Sequence, residues 1–363
     1  MNRLSILSGD CRAILPTLEP ESVQCCVTSP PYWGLRDYGT AQWEGGSAEC
    51  DHRQESPRFN GPKQTSAQVS GHASKAEANN RTHCKCGARR IDSQLGLEAT
   101  PEEYITKMVA VFREVKKVLR DDGTCWINLG DSYATSNPAG RRDSGNGTSA
   151  KFGDHEIAAS FGESTRKNVG LKPKDLCMMP ARMAMVLQAD GWYLRSEIVW
   201  HKPNPMPESV TDRPTKSHEM IYLLAKQERY FYDAEAIMEP DAGTDHSRNI
   251  VAPVDSSDGF LSAHSKIRTA NGRNGKGRNK RSVWTVATQP YSEAHFATFP
   301  EDLIKPCILA GSRLGDLVLD PFAGSGTTGK VALELGRRAI LIELNPAYIE
   351  LAQERTFVTL GFL

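Results

Sequence analysis

The sequence predicts an α/β protein built on a mostly parallel β-sheet with long inserted loops. Three observations carry that prediction. Short β-rich runs alternate with longer amphipathic stretches, the pattern of successive strand–helix–strand units. One of the runs, Leu317 to Leu319, passes through Asp320 and Pro321 into the glycine-rich turn Gly324-Ser325-Gly326, which is where such folds place a ligand loop. The chain also has 363 residues, enough for one large domain with insertions and an ample core.

In chain order, Leu4 to Ser8 reads as a strand ending at Gly9-Asp10, and Val23 to Thr28 as a second strand running into Ser29-Pro30-Pro31-Tyr32-Trp33. Pro101 to Leu119 reads as a helix, because Tyr104, Met108, Val111, Phe112, Val115 and Leu119 fall on one stripe. Thr100 is placed to cap it, and Asp122-Gly123 to stop it. Strands follow at Thr124 to Leu129, Tyr193 to His201 and Met220 to Ala225, with a helix at Ala181 to Gln188 between the first two. Toward the C-terminus, Leu303 to Ala310 reads as a helix and Leu317 to Leu319 as a strand. Gly329 to Leu335 is then a helix, Ala339 to Glu343 a strand, and a last helix begins near Pro346. No internal repeat is present.

Three stretches break this rhythm. Thr40 to Leu97 is polar and carries a Cys/His cluster, Asn137 to Asn168 has almost no apolar period, and Asp241 to Lys280 is strongly basic toward its end. Formal net charge is zero, so nucleic-acid contact has to come from a local basic patch rather than a global field. No run approaches membrane-spanning length and Met1 to Leu15 lacks the pattern of a secretory signal, which predicts a cytoplasmic protein with no membrane partner. Nine cysteines, an odd number, favour free thiols or metal ligands over a disulfide framework.

Two motifs carry the chemistry. The lone pair of an aromatic amine is delocalised, so a site that makes such a nitrogen react needs hydrogen-bond acceptors that favour charge on it. The Ser29 oxygen and the Pro30 carbonyl, projected from a strand end, suit that task. Pro30 and Pro31 stiffen the turn, and Tyr32 offers a face on which a flipped-out base would stack. The distal turn, Asp320-Pro321-Phe322-Ala323-Gly324-Ser325-Gly326-Thr327-Thr328, lets a nucleoside approach the backbone closely. Glu343, ending the next strand, is placed to accept both ribose hydroxyls. A competing reading is a nucleotide-hydrolysing P-loop, since Gly324 to Lys330 fits G-x4-G-K. Val331, however, stands where that motif requires a hydroxyl for magnesium.

The pair of motifs resembles the amino-methyltransferases of DNA, which carry a D/N/S-P-P-Y/F/W tetrad and a D-P-F-x-G-S/T-G-T cofactor loop, and the tetrad-first order resembles their permuted β class. The resemblance covers about two-thirds of the chain, excluding the three insertions. It implies a Rossmann-like methyltransferase fold with a seven-stranded sheet, S-adenosyl-L-methionine as cofactor and double-stranded DNA as substrate. It also implies that Asp10 reads the cofactor's adenine amine, and that Thr298 and Phe299 pack beside its methionine moiety. By the same analogy His201, Lys202 and Asn204 shape the target-base pocket. Asp10 as a helix N-cap and Phe299 as core packing are the competing structural roles. Serine at the first tetrad position resembles the cytosine-N4 enzymes, whereas Asp or Asn is usual for adenine-N6. Such an enzyme has room for two protein partners, a cognate restriction endonuclease and a second copy of itself.

Cys50-Asp51-His52 and Cys84-Lys85-Cys86-Gly87 supply four soft ligands, from which a tetrahedral Cys3His zinc site can be built. The chain departs from the related C-x-H…C-x-x-C-G pattern in having His83 at the first position of the second pair, so either Cys84 or His83 would serve; unpaired thiols are the alternative. In the basic segment, Arg273, Lys276, Arg278 and Lys280 are the expected phosphate contacts. The resulting division is a catalytic half at 1–39 and 98–240, a zinc insertion at 40–97, a target-recognition insertion at 241–284 and a cofactor half at 285–363. A catalytically silent zinc-containing DNA-binding protein is the remaining alternative.

Overall fold

The computed structural model describes residues 3–34, 40–47, 49–50, 84, 86–134, 171–240, 277–289 and 299–361. His52, His83, Thr298, Arg273 and Lys276, and most of the three polar insertions, lie outside the described residues.

Ten strands alternate with helices along the described chain. They are β1 (Leu4–Ser8), β2 (Val23–Thr28), β3 (Gln42–Glu44), β4 (Arg89–Ile91), β5 (Leu119–Leu129), β6 (Tyr193–His201), β7 (His218–Ala225), β8 (Val283–Thr285), β9 (Leu317–Asp320) and β10 (Arg338–Glu343). Eight of them form one sheet in the order β1-β10-β9-β2-β5-β7-β6-β8, while β3 and β4 make a separate antiparallel hairpin. Pairing is parallel from β1 through β5 and again between β6 and β8; only β7 runs antiparallel to its neighbours. The expected seven strands are thus eight, because Val283–Thr285 extends the edge by pairing with Val199 to His201.

The centre of the sheet is covered on both faces. Every residue of β2, Val-Gln-Cys-Cys-Val-Thr, is buried, as an unbroken run in a doubly covered parallel strand should be. Its side chains alternate. Cys26 packs into a core with α1 (Cys11–Ile14), α2 (Pro101–Val118) and α3 (Met179–Ala189), while Cys25 and Val27 face α4 (Glu301–Gly311) and α5 (Thr327–Glu334). The last helix, α6 (Pro346–Gly361), lies over α5 and β1. The stripe on α2 is as expected: Tyr104, Met108, Val111, Phe112 and Val115 are all buried in the first core. Thr100 accepts from the Glu103 N–H at 3.1 Å, a cap worth about 1 kcal/mol.

The end of α2 corrects the expectation. The helix stops at Val118, and Leu119 to Gly123 already belong to β5. Leu119 pairs with Val23 of β2, a register shift follows before Cys25 pairs with Thr124, and the Asp122 carbonyl in between accepts from Phe231 N at 2.8 Å and from Gln24 Nε2 at 3.2 Å. Among the described residues no helix is long and apolar enough to cross a membrane.

Because β2 and β9 are parallel neighbours, their carboxyl ends coincide, and one buried carboxylate joins them. Asp320, fully buried at the end of β9, accepts from the hydroxyls of Thr28 and Thr328, each at 2.6 Å, and from Phe322 N at 3.0 Å. Burial pushes its pKa up to about 6, against the opposing pull of those donors. A carboxyl group raised on folding contributes stability that is full below its ordinary value of 3.8 and lost as pH rises through about 6. The stability of the wild type relative to Asp320→Asn should therefore fall across that interval, by on the order of 2–3 kcal/mol. Urea unfolding of both proteins at a series of pH values measures the difference; a flat difference contradicts the raised pKa.

Candidate active site

At the end of β2 the chain turns through Ser29, Pro30, Pro31, Tyr32 and Trp33, and the turn is held from both sides. The Pro31 carbonyl accepts from the Tyr104 hydroxyl of α2 at 2.8 Å. Trp33 is buried and donates its indole N–H to the Glu98 carbonyl at 2.9 Å, and Gly34 N reaches the Gly96 carbonyl at 2.6 Å. Trp33 is thus an anchor in the core.

The two polar tetrad side chains meet a cluster that the sequence reading did not single out. Ser29 Oγ lies 3.3 Å from Tyr32 Oη and 3.4 Å from Asn128 Oδ1. Tyr32 Oη is 2.7 Å from Glu219 Oε2 and 3.0 Å from Asn128 Oδ1. Lys202 Nζ pairs with the other oxygen of Glu219 and sits 4.3 Å from the centroid of the Trp200 ring. Asn128 comes from β5 and Glu219 from β7, whereas Lys202 directly follows β6. Gly130 lets the tyrosine in: a Cβ there would stand 2.5 Å from Tyr32 Cε2. Asn128 left a trace in the sequence, being a polar residue inside the apolar run Thr-Cys-Trp-Ile-Asn-Leu, and it is only 4% exposed.

Beside the tetrad, the turn from β9 to α5 is a shaped backbone loop. Ala323 N bonds the Ile342 carbonyl of β10 at 3.0 Å and Gly326 N the Ala323 carbonyl at 2.9 Å. Gly326 caps α5 with φ +78°, and a Cβ on it would meet Ala352 Cβ of α6 at 2.9 Å, so only glycine fits there. Ser325 Oγ and Thr327 Oγ1 accept from Arg355 at 3.1 and 2.9 Å. Lys330, the lysine of the G-x4-G-K run, is turned away from the loop and bonds both oxygens of Glu301 at 2.7 Å. That orientation removes the phosphate-binding lysine which the P-loop alternative needs. Phe322 packs on the first core and Phe299 on the second.

Glu343 ends β10 facing this loop. Its oxygens accept from Gly324 N and Asn345 N, both at 2.8 Å, and burial raises its pKa against those bonds. Asp10 caps α1 and is engaged by Arg12, whose backbone N–H and guanidinium reach it at 2.9 and 3.0 Å. Burial opposes its ionisation, but the Arg12 hydrogen bonds and charge outweigh that and hold its pKa below the ordinary value. Its capping role is therefore realised.

Of the three residues expected around a target base, only Lys202 reaches the tetrad cluster. His201 Nδ1 faces Thr285 Oγ1 at 3.2 Å, and the Asn204 amide clasps Thr288, accepting from its N–H at 2.9 Å and donating to its carbonyl at 3.2 Å. His201 thus ties the last residues of β6 and β8, and Asn204 ties the segments that follow them. In the basic region, Arg278 and Arg281 pair with Glu239 at 3.2 and 2.9 Å, and Lys280 Nζ lies 5.1 Å from the Trp284 ring centroid. Arg278 and Lys280 thus have partners within the protein.

The β3–β4 hairpin carries the cysteines. Sγ atoms of Cys50, Cys84 and Cys86 all lie within 4.8 Å of one another, with Cys50 and Cys84 3.6 Å apart. Backbone hydrogen bonds at Ala88 and Ser47, then the neighbouring thiols, pull the Cys86 thiol down to about 6. Three converging thiols, with that of Cys86 lowered, are soft donors of the kind a zinc ion takes.

A family model for DNA methylases, N6_N4_Mtase, matches residues 23–354. The chain is 40% identical over 356 residues to the type II methyltransferase M.Cfr9I of Citrobacter freundii, covering 98% of this chain and 88% of that one. It is also 40% identical over 350 residues to M.SmaI of Serratia marcescens, covering 96% and 89%. In fold it is similar to the PvuII DNA methyltransferase (cytosine-N4-specific), with a TM-score of 0.55 at 16% identity, covering 98% of this chain and 86% of that one. A putative DNA modification methylase of Thermus thermophilus, solved with S-adenosyl-L-methionine, gives a TM-score of 0.51 at 20% identity, covering 99% and 96%. A tetrad and a glycine-rich loop on adjacent strand ends, with relatives along nearly the whole length, therefore have one reading: the chain belongs to the N6/N4 DNA methylase family.

Proposed function

We propose that the protein transfers a methyl group from S-adenosyl-L-methionine to the exocyclic amine of a base flipped out of double-stranded DNA, and that the base is cytosine, methylated at N4. The observation that carries this reading is the Asp320 junction: it binds Thr28, one residue before the tetrad, and Thr328, in the glycine-rich turn, so that an acceptor cluster and a nucleoside-sized backbone loop stand side by side. The cofactor supplies an electrophilic methyl group. Ser29 Oγ and the Pro30 carbonyl accept the hydrogens of the amine and favour its lone pair over delocalisation. Tyr32 stacks on the base, and extrusion of the base costs a few kcal/mol that such stacking partly offsets.

On the cofactor side, the Glu343 carboxylate, held by backbone N–H groups of Gly324, Leu344 and Asn345, turns its remaining lone-pair capacity to the ribose hydroxyls. Phe322 to Thr328 would hold the nucleoside, and Thr298 and Phe299 are the residues we assign to the methionine moiety. Asp10 accepts from Arg12 on both oxygens, so reading the adenine amine requires it to give up part of that pairing. Serine at position 29 supports cytosine N4 over adenine N6, and nucleoside mass spectrometry of DNA from expressing cells distinguishes the two products. Arg273 and Lys276 are the phosphate contacts we retain from the basic arm, since Arg278 and Lys280 have internal partners. Zinc held by Cys50, Cys84, Cys86 and His52 would fix the hairpin that leads to Gly96 and Glu98 against the tetrad.

Three outcomes test this reading. Ser29→Ala should slow methyl transfer by the equivalent of about 2–4 kcal/mol while cofactor affinity stays within twofold, read by single-turnover transfer of labelled methyl and by calorimetry. Glu343→Ala should weaken cofactor binding by at least roughly tenfold and leave DNA binding nearly intact in a gel-shift titration. Freshly purified protein should contain about one zinc per chain by elemental analysis, and Cys86→Ser should lower that content.

A further inference from the structure

Within the tetrad cluster there are four short oxygen–oxygen approaches but only two hydroxyl hydrogens to share among them. Tyr32 Oη has Glu219 Oε2 at 2.7 Å and Asn128 Oδ1 at 3.0 Å, and Ser29 Oγ has Tyr32 Oη at 3.3 Å and Asn128 Oδ1 at 3.4 Å. The assignment of hydrogens follows from charge and geometry. The carboxylate is both the nearer and the charged acceptor, so it takes the tyrosine hydrogen. Asn128 donates Nδ2 to the Met220 carbonyl at 3.3 Å, which fixes the amide with Oδ1 toward the two hydroxyls. Ser29 is then left with two acceptors, Tyr32 Oη and Asn128 Oδ1, both on the side of the cluster. Its hydrogen turns inward and its lone pairs turn outward.

Resting on the proposed role of Ser29, we infer that Glu219 is a positioning residue that makes Ser29 an acceptor: by binding the Tyr32 hydrogen it keeps that hydrogen off Ser29 Oγ, leaving the serine lone pairs for the incoming amine. Lys202 serves the same end. Its ammonium, paired with the other oxygen of Glu219 and set over the Trp200 ring, holds the carboxylate in place between β6 and β7. Without the carboxylate, the tyrosine hydrogen turns to the remaining acceptors, Asn128 Oδ1 at 3.0 Å and Ser29 Oγ at 3.3 Å: on the second it occupies the lone pair that should meet the substrate, and on the first it takes the acceptor that draws the Ser29 hydrogen inward. Neither Glu219 nor Asn128 has to touch the base for this to work. The effect should fall on the chemical step and spare binding.

The test is a double-mutant cycle on the full-length protein, using Glu219→Gln, Tyr32→Phe and the pair, with Ser29→Ala as the reference. The readouts are the single-turnover rate of methyl transfer to a DNA fragment carrying the target site, the dissociation constant for S-adenosyl-L-methionine, and DNA affinity. Glu219→Gln should lower the rate by roughly tenfold or more with both affinities within about twofold of wild type. On the Tyr32→Phe background, where no tyrosine hydrogen remains to be held, the same change should cost less than about twofold. A wild-type rate for Glu219→Gln, or full multiplication of the two effects, overturns the inference. Should the glutamine variant not fold, Glu219→Asp retains the charge facing Lys202 but draws the carboxylate back from Tyr32; a wild-type rate there overturns it equally. Ser29→Ala separates the two levels of the argument: if that variant is as active as wild type, the role of the tetrad itself fails, whereas an inactive Ser29→Ala beside a fully active Glu219→Gln refutes only the role of Glu219.

Discussion

The hydrogen bonds to Asp320 are the constraint on which the site depends. A parallel sheet brings the ends of β2 and β9 to the same edge, but sheet pairing alone sets neither the direction in which each chain leaves nor the spacing between the two turns. One fully buried carboxylate does both, receiving a hydroxyl from each turn and a backbone N–H from its own. An amide could be buried at lower cost, yet it offers only one acceptor oxygen. The raised pKa of about 6 measures the penalty that the junction tolerates for having two.

The same economy governs the tetrad. Polar groups are gathered where the sheet has just ended, and each is satisfied by a partner from a different strand: Asn128 from β5, Glu219 from β7, with Lys202 from the chain leaving β6. Strand order therefore matters to the chemistry. The antiparallel β7 places its first residues, His218 and Glu219, at the edge where the parallel strands finish, so a residue near the start of one strand meets residues near the end of others. In an all-parallel sheet that position would lie at the opposite edge.

Much of the fold was legible because the strands have strong local signals. Leu4 to Ser8, Val23 to Thr28 and Tyr193 to His201 match their observed limits, and the α2 stripe and its Thr100 cap are local as well. The places where expectation failed are those decided from a distance. Leu119 to Gly123 becomes strand because Val23 of β2 pairs with Leu119, and Val283–Thr285 becomes an eighth strand because β6 has an edge to extend. At the site, the motif residues stood out by composition. Glu219 did not, since an acidic residue before an apolar run is indistinguishable from a solvated strand end until Tyr32 and Lys202 are seen on either side of it. His201 and Asn204 were read from their neighbours in sequence, and what only the fold reveals is that their side chains meet Thr285 of the edge strand and Thr288 just beyond it.

The pairing of β1 with β10 has a kinetic consequence. Leu4 to Ser8 find their partners at Ala339 to Glu343, and β2 lies between β5 and β9, so the two halves of the sheet are closed by contacts that span most of the chain. Loop closure of that length has to be accomplished before the pairing repays it. During synthesis, β1 and one side of β2 wait, with open backbone edges, until the chain has been made through Glu343. An apolar strand such as Val23 to Val27 left uncovered for that interval is a site for pairing with another chain. Expression at lower rates of synthesis, or with chaperones that shield strand edges, therefore bears directly on how much of this protein reaches its native sheet.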